Sequence, residues 1–229
     1  MTTPGGTRVR IVHERDVPDP GAWLDATEAE TLAGLHVPKR RSDWLRGRWA
    51  AKQAVAQWAG LDDSLAGLAG VAIRPAPDGA PEVRLEGAPA PVVSITHSGS
   101  WGAAALASRG PLGCDLEQLR PLDDSTVDLF FTEAERSEIR SEGSQSERVL
   151  RTILIWSAKE SALKALRTGL RRDTREVEVA AGPMGPAGWG PFTVRDTADG
   201  RVFAGWWRTI DGFVLTVVEA EDIGAPAGG

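Results

Sequence analysis

The sequence contains no tyrosine, one cysteine, two methionines and only four lysines among its 229 residues. A single cysteine, Cys114, rules out an intrachain disulfide, and a reducing cytoplasm is the expected compartment. No apolar run approaches the ~20 residues that a membrane-spanning helix needs. The opening residues, MTTPGGTRVR, lack the apolar core of a secretory leader, which also favours a cytoplasmic protein. A basic excess is missing too. Against 32 Asp and Glu there are 26 Lys and Arg, leaving a net charge of −6, which argues against a dedicated nucleic-acid binder. The chain has no Walker-A loop, no G-x-G-x-x-G turn and no Cys/His zinc spacing. Neither Ser98 nor Ser100 sits in the Gly-x-Ser-x-Gly setting of a serine hydrolase.

What remains is an ordinary globular composition, 41% hydrophobic and 25% charged. The length suits one large domain or two small ones. Abundant Ala, Gly and Arg accounts for the lysine shortage by codon usage. Against that background the retained lysines, Lys39, Lys52, Lys159 and Lys164, carry information, because arginine cannot replace a compact ammonium where one is required.

The chain reads as one unit written twice. Thr27-Glu28-Ala29-Glu30 has the form of a helix capping box, and the same four letters recur at Thr132–Glu135. Each box is followed by a helical stretch containing W-x-A-K, at Trp49–Lys52 and at Trp156–Lys159. Each half then ends in strand-like segments: 71–74, 83–85, 92–96 and 103–107 in the first, and 177–179, 192–194, 202–207 and 213–218 in the second. Asp211-Gly212 between the last two is a hairpin signal. The expected fold class is α+β, with two pseudo-symmetric halves (1–110 and 111–229), each a small antiparallel sheet with a packed long helix. Residues 1–7 and 224–229 read as frayed ends.

Differences between the halves are where chemistry is expected. Gly113-Cys114-Asp115-Leu116-Glu117 is expected to have no counterpart in the first half. If extended, it places Asp115 and Glu117 on one face, where two carboxylates repel unless a cation or proton lies between them. That is either half of a Mg2+ site or a solvated edge strand. On the following helix, Leu150, Leu154, Ala158, Ala162 and Ala165 form a core stripe. Trp156, Glu160 and Lys164 lie on roughly the opposite side with Leu163. The matching residue to Glu160 in the first half is Gln53. Glu160 and Lys164 are either a surface pair or part of a site. Between Lys39 and Lys52, the six cations Lys39, Arg40, Arg41, Arg46, Arg48 and Lys52 face one acid, Asp43. In an acidic protein this is either an anion-binding patch suited to phosphate or a solvated helix face. His97, at a strand end before Gly99, either donates to a phosphate or only caps a turn. This set of groups fits Mg-assisted phosphoryl chemistry.

The segments S-I-T-H-S-G-S-W (94–101), G-C-D-L-E (113–117), F-F-T-E-A-E (130–135) and W-S-A-K-E-S-A-L-K-A (156–165) together resemble the 4′-phosphopantetheinyl transferases of the large, duplicated, Sfp-like type. The resemblance implies coenzyme A bound in the cleft between two α+β halves, with the active site at their interface. It implies transfer of 4′-phosphopantetheine from coenzyme A to a serine of an acyl or peptidyl carrier protein, releasing adenosine 3′,5′-bisphosphate. By the same resemblance Asp115, Glu117 and Glu160 are metal ligands for Mg2+, with Mn2+ as an alternative. Glu160 acts as or positions the base, and Glu135 is the alternative base. Lys164 neutralises charge on the leaving pyrophosphate, with Lys159 beside it. Arg48, Lys52 and His97 hold the coenzyme's phosphates, joined by Arg41 and Thr96. The sequence departs from the family where Gly79-Ala80-Pro81 lacks a cation and where Ser161 replaces the commoner Ala. The carrier partner is expected to dock on Arg167, Arg171, Arg172 and Arg175. No nucleic-acid or membrane partner is expected, and the protein is expected to be a monomer. The competing reading is a protein that binds or hydrolyses coenzyme A without transfer to a carrier.

Overall fold

The computed structural model describes residues 1–85 and 89–222, and the chain divides into two compact units, Met1–Arg109 and Gly110–Gly229. Unit 1 comprises β1 (Arg8–His13), α1 (Ala26–Ala33), α2 (Pro38–Ala59), α3 (Leu65–Ala69), β2 (Ala72–Pro75), β3 (Pro81–Arg84), β4 (Val92–Ser98) and β5 (Trp101–Ala107). Unit 2 comprises β6 (Gly113–Gln118), α4 (Asp124–Phe130), α5 (Glu133–Ser141), α6 (Gln145–Ala165), β7 (Val177–Ala181), β8 (Gly190–Asp196), β9 (Val202–Ile210) and β10 (Phe213–Asp222). Each unit holds a five-stranded antiparallel sheet, in the orders β1-β5-β4-β3-β2 and β6-β10-β9-β8-β7. The two orders are one topology repeated. The fold is therefore α+β in two like halves.

This repetition corrects three expectations. The G-C-D-L-E segment does have a counterpart: β1 fills the place of β6, beginning each sheet order beside the last strand of its unit. The alternation of β1, Arg8-Val9-Arg10-Ile11, is half charged and gives only a weak strand signal. Residues 1–7 are not frayed either, since Thr3 and Thr7 are buried and the Met1 amino group donates to the Val9 carbonyl at 2.9 Å. Residues 224–229 lie outside the described residues. The first capping box also starts two residues earlier than the repeated letters suggest. Asp25, not Thr27, caps α1, with Glu28 as its reciprocal partner, just as Thr132 caps α5 with Glu135. In this register Asp25 to Trp49 and Thr132 to Trp156 are both 24 residues.

The shared register identifies a buried staple in each unit. Lys52 is fully buried, and its ammonium donates to the Trp23 and Leu68 carbonyls, both at 3.0 Å, and pairs with Glu28 at 2.5 Å. Lys159, equally buried, donates to the Thr174 and Val177 carbonyls at 2.8 Å and pairs with Glu135 at 2.9 Å. An ammonium has three protons, and each here has its partner. Burial pulls both lysines below their ordinary pKa, while the facing glutamate opposes that drop. The staple ties the short capped helix and the long helix to Trp23 and α3 in unit 1, and to Thr174 and the start of β7 in unit 2.

From Thr152 onward α6 is buried on most sides. Ile153, Leu154, Ile155 and Leu163 are each buried in the core of unit 2 with Phe192, Val194 and Val214 from the sheet. Each such side chain contributes ~1.5–3 kcal/mol of hydrophobic burial. Leu163 thus belongs to the core, not to the Trp156–Glu160–Lys164 face. β6 approaches α6 closely at Gly113, where an added Cβ would lie 1.8 Å from the Ser161 carbonyl oxygen. Gly113→Ala must therefore push β6 off the helix. We expect a loss of about 3 kcal/mol in urea unfolding. Gly34→Ala, where the nearest atom is 3.5 Å away, should stay within about 0.5 kcal/mol. The β9–β10 hairpin turns at Asp211-Gly212, both with positive φ, 47° and 80°, as the Asp-Gly signal requires.

Candidate functional site

In unit 2 the strand and the helix converge on carboxylates. Period-two alternation of β6 puts Asp115 and Glu117 on the face toward α6, and β6 pairs with β10 so that Asp115 stands opposite Thr216. Asp115 is buried. Its Oδ1 accepts from Lys164 Nζ at 2.8 Å and its Oδ2 from Ser157 Oγ at 3.0 Å. Lys164 also donates to the Cys114 carbonyl at 3.0 Å. Burial pulls this ammonium down in pKa, but Asp115 beside it prevails and the net shift is upward. Glu117 Oε1 accepts from the Trp156 indole at 3.3 Å, and Trp156 is in turn flanked by Phe130 and Phe131.

Glu160 completes the group. Its carboxyl is pushed up to about 7, chiefly by burial and then by the negative charge of Asp115, with Lys164 opposing and Glu117 adding to the rise. Its Oε1 is buried and has no hydrogen-bond partner among the described residues. A buried, partnerless carboxylate oxygen beside two other carboxylates is costly unless a proton or cation joins it. Among the described residues no three His, Cys, Asp or Glu side chains stand as a ready-made cation cage. The donor chemistry nonetheless suits a hard divalent ion, since all three candidate ligands are carboxylate oxygens. In unit 1 the same place holds no acid. Gln53 replaces Glu160, and Arg10 donates to its Oε1 at 3.2 Å, so that unit carries its own cation.

The basic link of unit 1 behaves differently from residue to residue. Arg48, His97, Lys39 and Arg40 line one cavity of about 640 Å3 together with Asp43 and Trp44. Arg48 lies over the Trp44 ring at 4.8 Å and donates through Nη1 to the Ile73 carbonyl at 2.8 Å. Its Nε is buried without a partner among the described residues. Burial lowers its pKa, with Glu28 opposing. Asp43 is the hub that sequence reasoning passed over: it accepts from Lys39 at 2.7 Å, is paired with Arg46 and has His97 Nδ1 at 3.8 Å. Its position as the lone acid in the basic link was the available signal.

Five expected site residues are elsewhere. Lys52 and Lys159 are the buried staples, so their ammonium groups have no proton to offer a phosphate. Arg41 donates to the Leu32 carbonyl at 2.8 Å and lines a separate, smaller cavity with Pro20 and Leu24. Thr96 is buried in β4 and is not part of the Arg48–His97 cavity wall. Glu135, the alternative base, has both oxygens engaged: Oε1 accepts from Val179 N at 3.2 Å, and Oε2 accepts from Thr132 N at 2.8 Å and pairs with Lys159. The expected carrier-docking patch is weakened as well, because Arg172 is bidentate to Asp196 and Arg175 is paired with Asp173.

The site thus consists of a carboxylate group and a lysine on the second unit of a duplicated α+β scaffold. Residues 111–217 match the family model of the 4′-phosphopantetheinyl transferase superfamily, and residues 28–107 match that of the 4′-phosphopantetheinyl transferase N-terminal domain. The chain is 30% identical to the 4′-phosphopantetheinyl transferase Svp of Streptomyces mobaraensis over 227 residues, covering 93% of this chain and 84% of that one. It is 30% identical to AcpT of Salmonella typhimurium over 147 residues, 63% of this chain and 66% of that protein. It is 32% identical to Sfp of Bacillus subtilis over 77 residues, 34% of each. The chain belongs to the 4′-phosphopantetheinyl transferase superfamily, in its Sfp-like type. It is an enzyme of that class, with coenzyme A as substrate.

Proposed function

We propose that this enzyme moves 4′-phosphopantetheine from coenzyme A to a serine hydroxyl of an acyl or peptidyl carrier protein, releasing adenosine 3′,5′-bisphosphate. The serine oxygen forms a bond to the pyrophosphate phosphorus nearest pantetheine. The bond from that phosphorus to the bridging oxygen breaks, and the serine proton goes to a base. Asp115, Glu117 and Glu160 would hold Mg2+, or Mn2+ in its place. The ion would supply charge neutralisation at the pyrophosphate. The observation that carries this assignment is the buried, partnerless Oε1 of Glu160 beside Asp115 and Glu117.

Lys164 adds a positive charge on the same face, where negative charge grows as the adenosine bisphosphate leaves. The base role falls to Glu160 and not to Glu135, whose two oxygens are already held by backbone amides and Lys159. Arg48 and His97, on one cavity wall with Lys39 and Arg40, are the groups that hold the coenzyme's phosphates. The reading also places the enzyme in the cytoplasm. Its test is the release of adenosine 3′,5′-bisphosphate followed by chromatography. Release should need an apo carrier and should stop when the carrier's acceptor serine is changed to alanine. Release at the same rate without carrier would instead mark a coenzyme A hydrolase.

A further inference from the structure

Behind Asp115 lies a set of hydroxyls that the reaction described above does not use. Ser157, Ser161 and Thr216 are all fully buried. Ser161 Oγ is 2.7 Å from Thr216 Oγ1, Thr216 Oγ1 is 2.9 Å from Ser157 Oγ, and Ser157 Oγ is 3.0 Å from Asp115 Oδ2. Three elements are joined: Ser157 and Ser161 come from successive turns of α6, Thr216 from β10 and Asp115 from β6.

Each hydroxyl has one proton, and a carboxylate only accepts. Ser157 must therefore donate to Asp115. Its proton being so placed, the contact with Thr216 must be donated by Thr216. That proton is shared with the Ser157 carbonyl, 2.9 Å away. Ser161 then donates to Thr216, sharing its proton with the Thr216 carbonyl at 3.2 Å. The direction is thus set from one end to the other. We propose that Ser161, Thr216 and Ser157 form a one-way hydroxyl relay that orients the Asp115 carboxylate for the divalent cation, making these three positioning residues for the transfer reaction.

Two physical arguments favour this over simple packing. Hydrogen bonds in a buried chain polarise one another, and the bond ending on the charged group is the strongest. Groups that hold a ligating carboxylate typically matter 10–100-fold to metal affinity or activity when removed. Ser157 and Lys164 each hold one oxygen of Asp115, so loss of Ser157 removes the contact to Oδ2 while the Lys164 contact to Oδ1 stays. The relay also gives Ser161 a function where an alanine would leave Thr216 without its donor.

The inference rests on the cation reading of Asp115, Glu117 and Glu160, and the experiment separates the two. Divalent binding is measured by titration calorimetry with MgCl2 and by Mn2+ paramagnetic resonance, on protein without substrate. Transfer kinetics are measured in parallel. Ser157→Ala and Thr216→Val should weaken cation binding about 10-fold or more, with the KM for coenzyme A unchanged. Ser161→Ala should have a smaller effect, and Thr216→Ser, which keeps the hydroxyl, should restore the wild-type value. Unchanged cation affinity in both Ser157→Ala and Thr216→Val, or equal loss in Thr216→Ser and Thr216→Val, would overturn the relay. Absence of cation binding in the wild-type protein would instead overturn the metal reading itself.

Discussion

Glu160→Gln and Asp115→Asn will each lower kcat/KM for carrier modification by about 10^2–10^3-fold, while the folded structure persists. The magnitude follows from removing a charge that acts at the reacting phosphate, where single electrostatic groups are worth ~10^2–10^3. The Glu160 variant should also be more stable than the wild type when no divalent ion is present. Its carboxyl is raised from 4.5 to about 7 in the fold. A carboxyl with a raised folded value binds its proton more tightly when folded. The contribution of Glu160 to wild-type stability in chelator is therefore most favourable below pH 4.5 and declines as pH rises through the interval up to about 7. A shift of that size is worth roughly 2 kcal/mol once partial exposure is allowed for. Urea unfolding of both proteins in chelator at pH 5 and pH 8 checks this. The two curves should converge at low pH and separate at high pH, with the variant above. A variant that is inactive but less stable at pH 8 would point to a structural role for Glu160.

The second large effect concerns stability. Lys159→Met and Lys52→Met should each cost about 3–5 kcal/mol, because each leaves a buried glutamate without its cation. That is a sizeable share of the 5–15 kcal/mol that holds a typical domain together. The double variant Glu135→Gln/Lys159→Met should lose less than the sum of its parts, since neither partner is then left as an isolated charge. Equilibrium unfolding measures both. If Lys159 were instead a phosphate ligand, Lys159→Met would raise the KM for coenzyme A with little change in the unfolding midpoint. The two outcomes are opposite, and Lys52 provides the internal comparison: it makes the same three-way contact in a unit whose Glu160 equivalent is Gln53. A lysine kept where no acid follows it is kept for the fold.

These results show which parts of the site were readable from residue order. Asp115 and Glu117 were legible because a strand alternates strictly, so one extended segment places both on a face. Glu160 and Lys164 were legible because four residues make a helical turn. The neighbouring Lys159 was misjudged for the same geometric reason: one residue along a helix is a rotation of ~100°, which takes its ammonium from the site face to the core. Residue type indicated a cation, but only packing reveals that Thr174 and Val177 carbonyls surround it. The repeat was legible as a repeat, yet the letters T-E-A-E set it two residues out of register. Asp25 and Thr132 cap helices equally well with different side chains, and letter matching is blind to that equivalence. Glu135 illustrates the same limit: its identity suited a base, and its partners on α6 and β7 make it a staple.

The arginine cluster after α6 failed for a different reason. Arg172 and Arg175 looked like an open basic surface because their partners are in contrasting places. Asp173 is two residues away, whereas Asp196 comes from the end of β8 and meets Arg172 only through the fold. Local charge counts cannot register a partner supplied by a distant strand. In the Lys39–Lys52 link the reverse holds. Arg48 and His97 are far apart in sequence but share a cavity wall with Lys39 and Arg40, and the single acid Asp43 holds Lys39 and Arg46 in place.

The central claim is that this chain attaches phosphopantetheine to a carrier through the Asp115–Glu117–Glu160 carboxylates. Intact-protein mass spectrometry of an apo carrier, incubated with the enzyme, coenzyme A and Mg2+, tests it most directly. The carrier should gain the mass of one phosphopantetheine group with wild-type enzyme and stay unmodified over the same time with Asp115→Asn or Glu160→Gln. Full modification by both variants, or no modification of any carrier by the wild type, would contradict it.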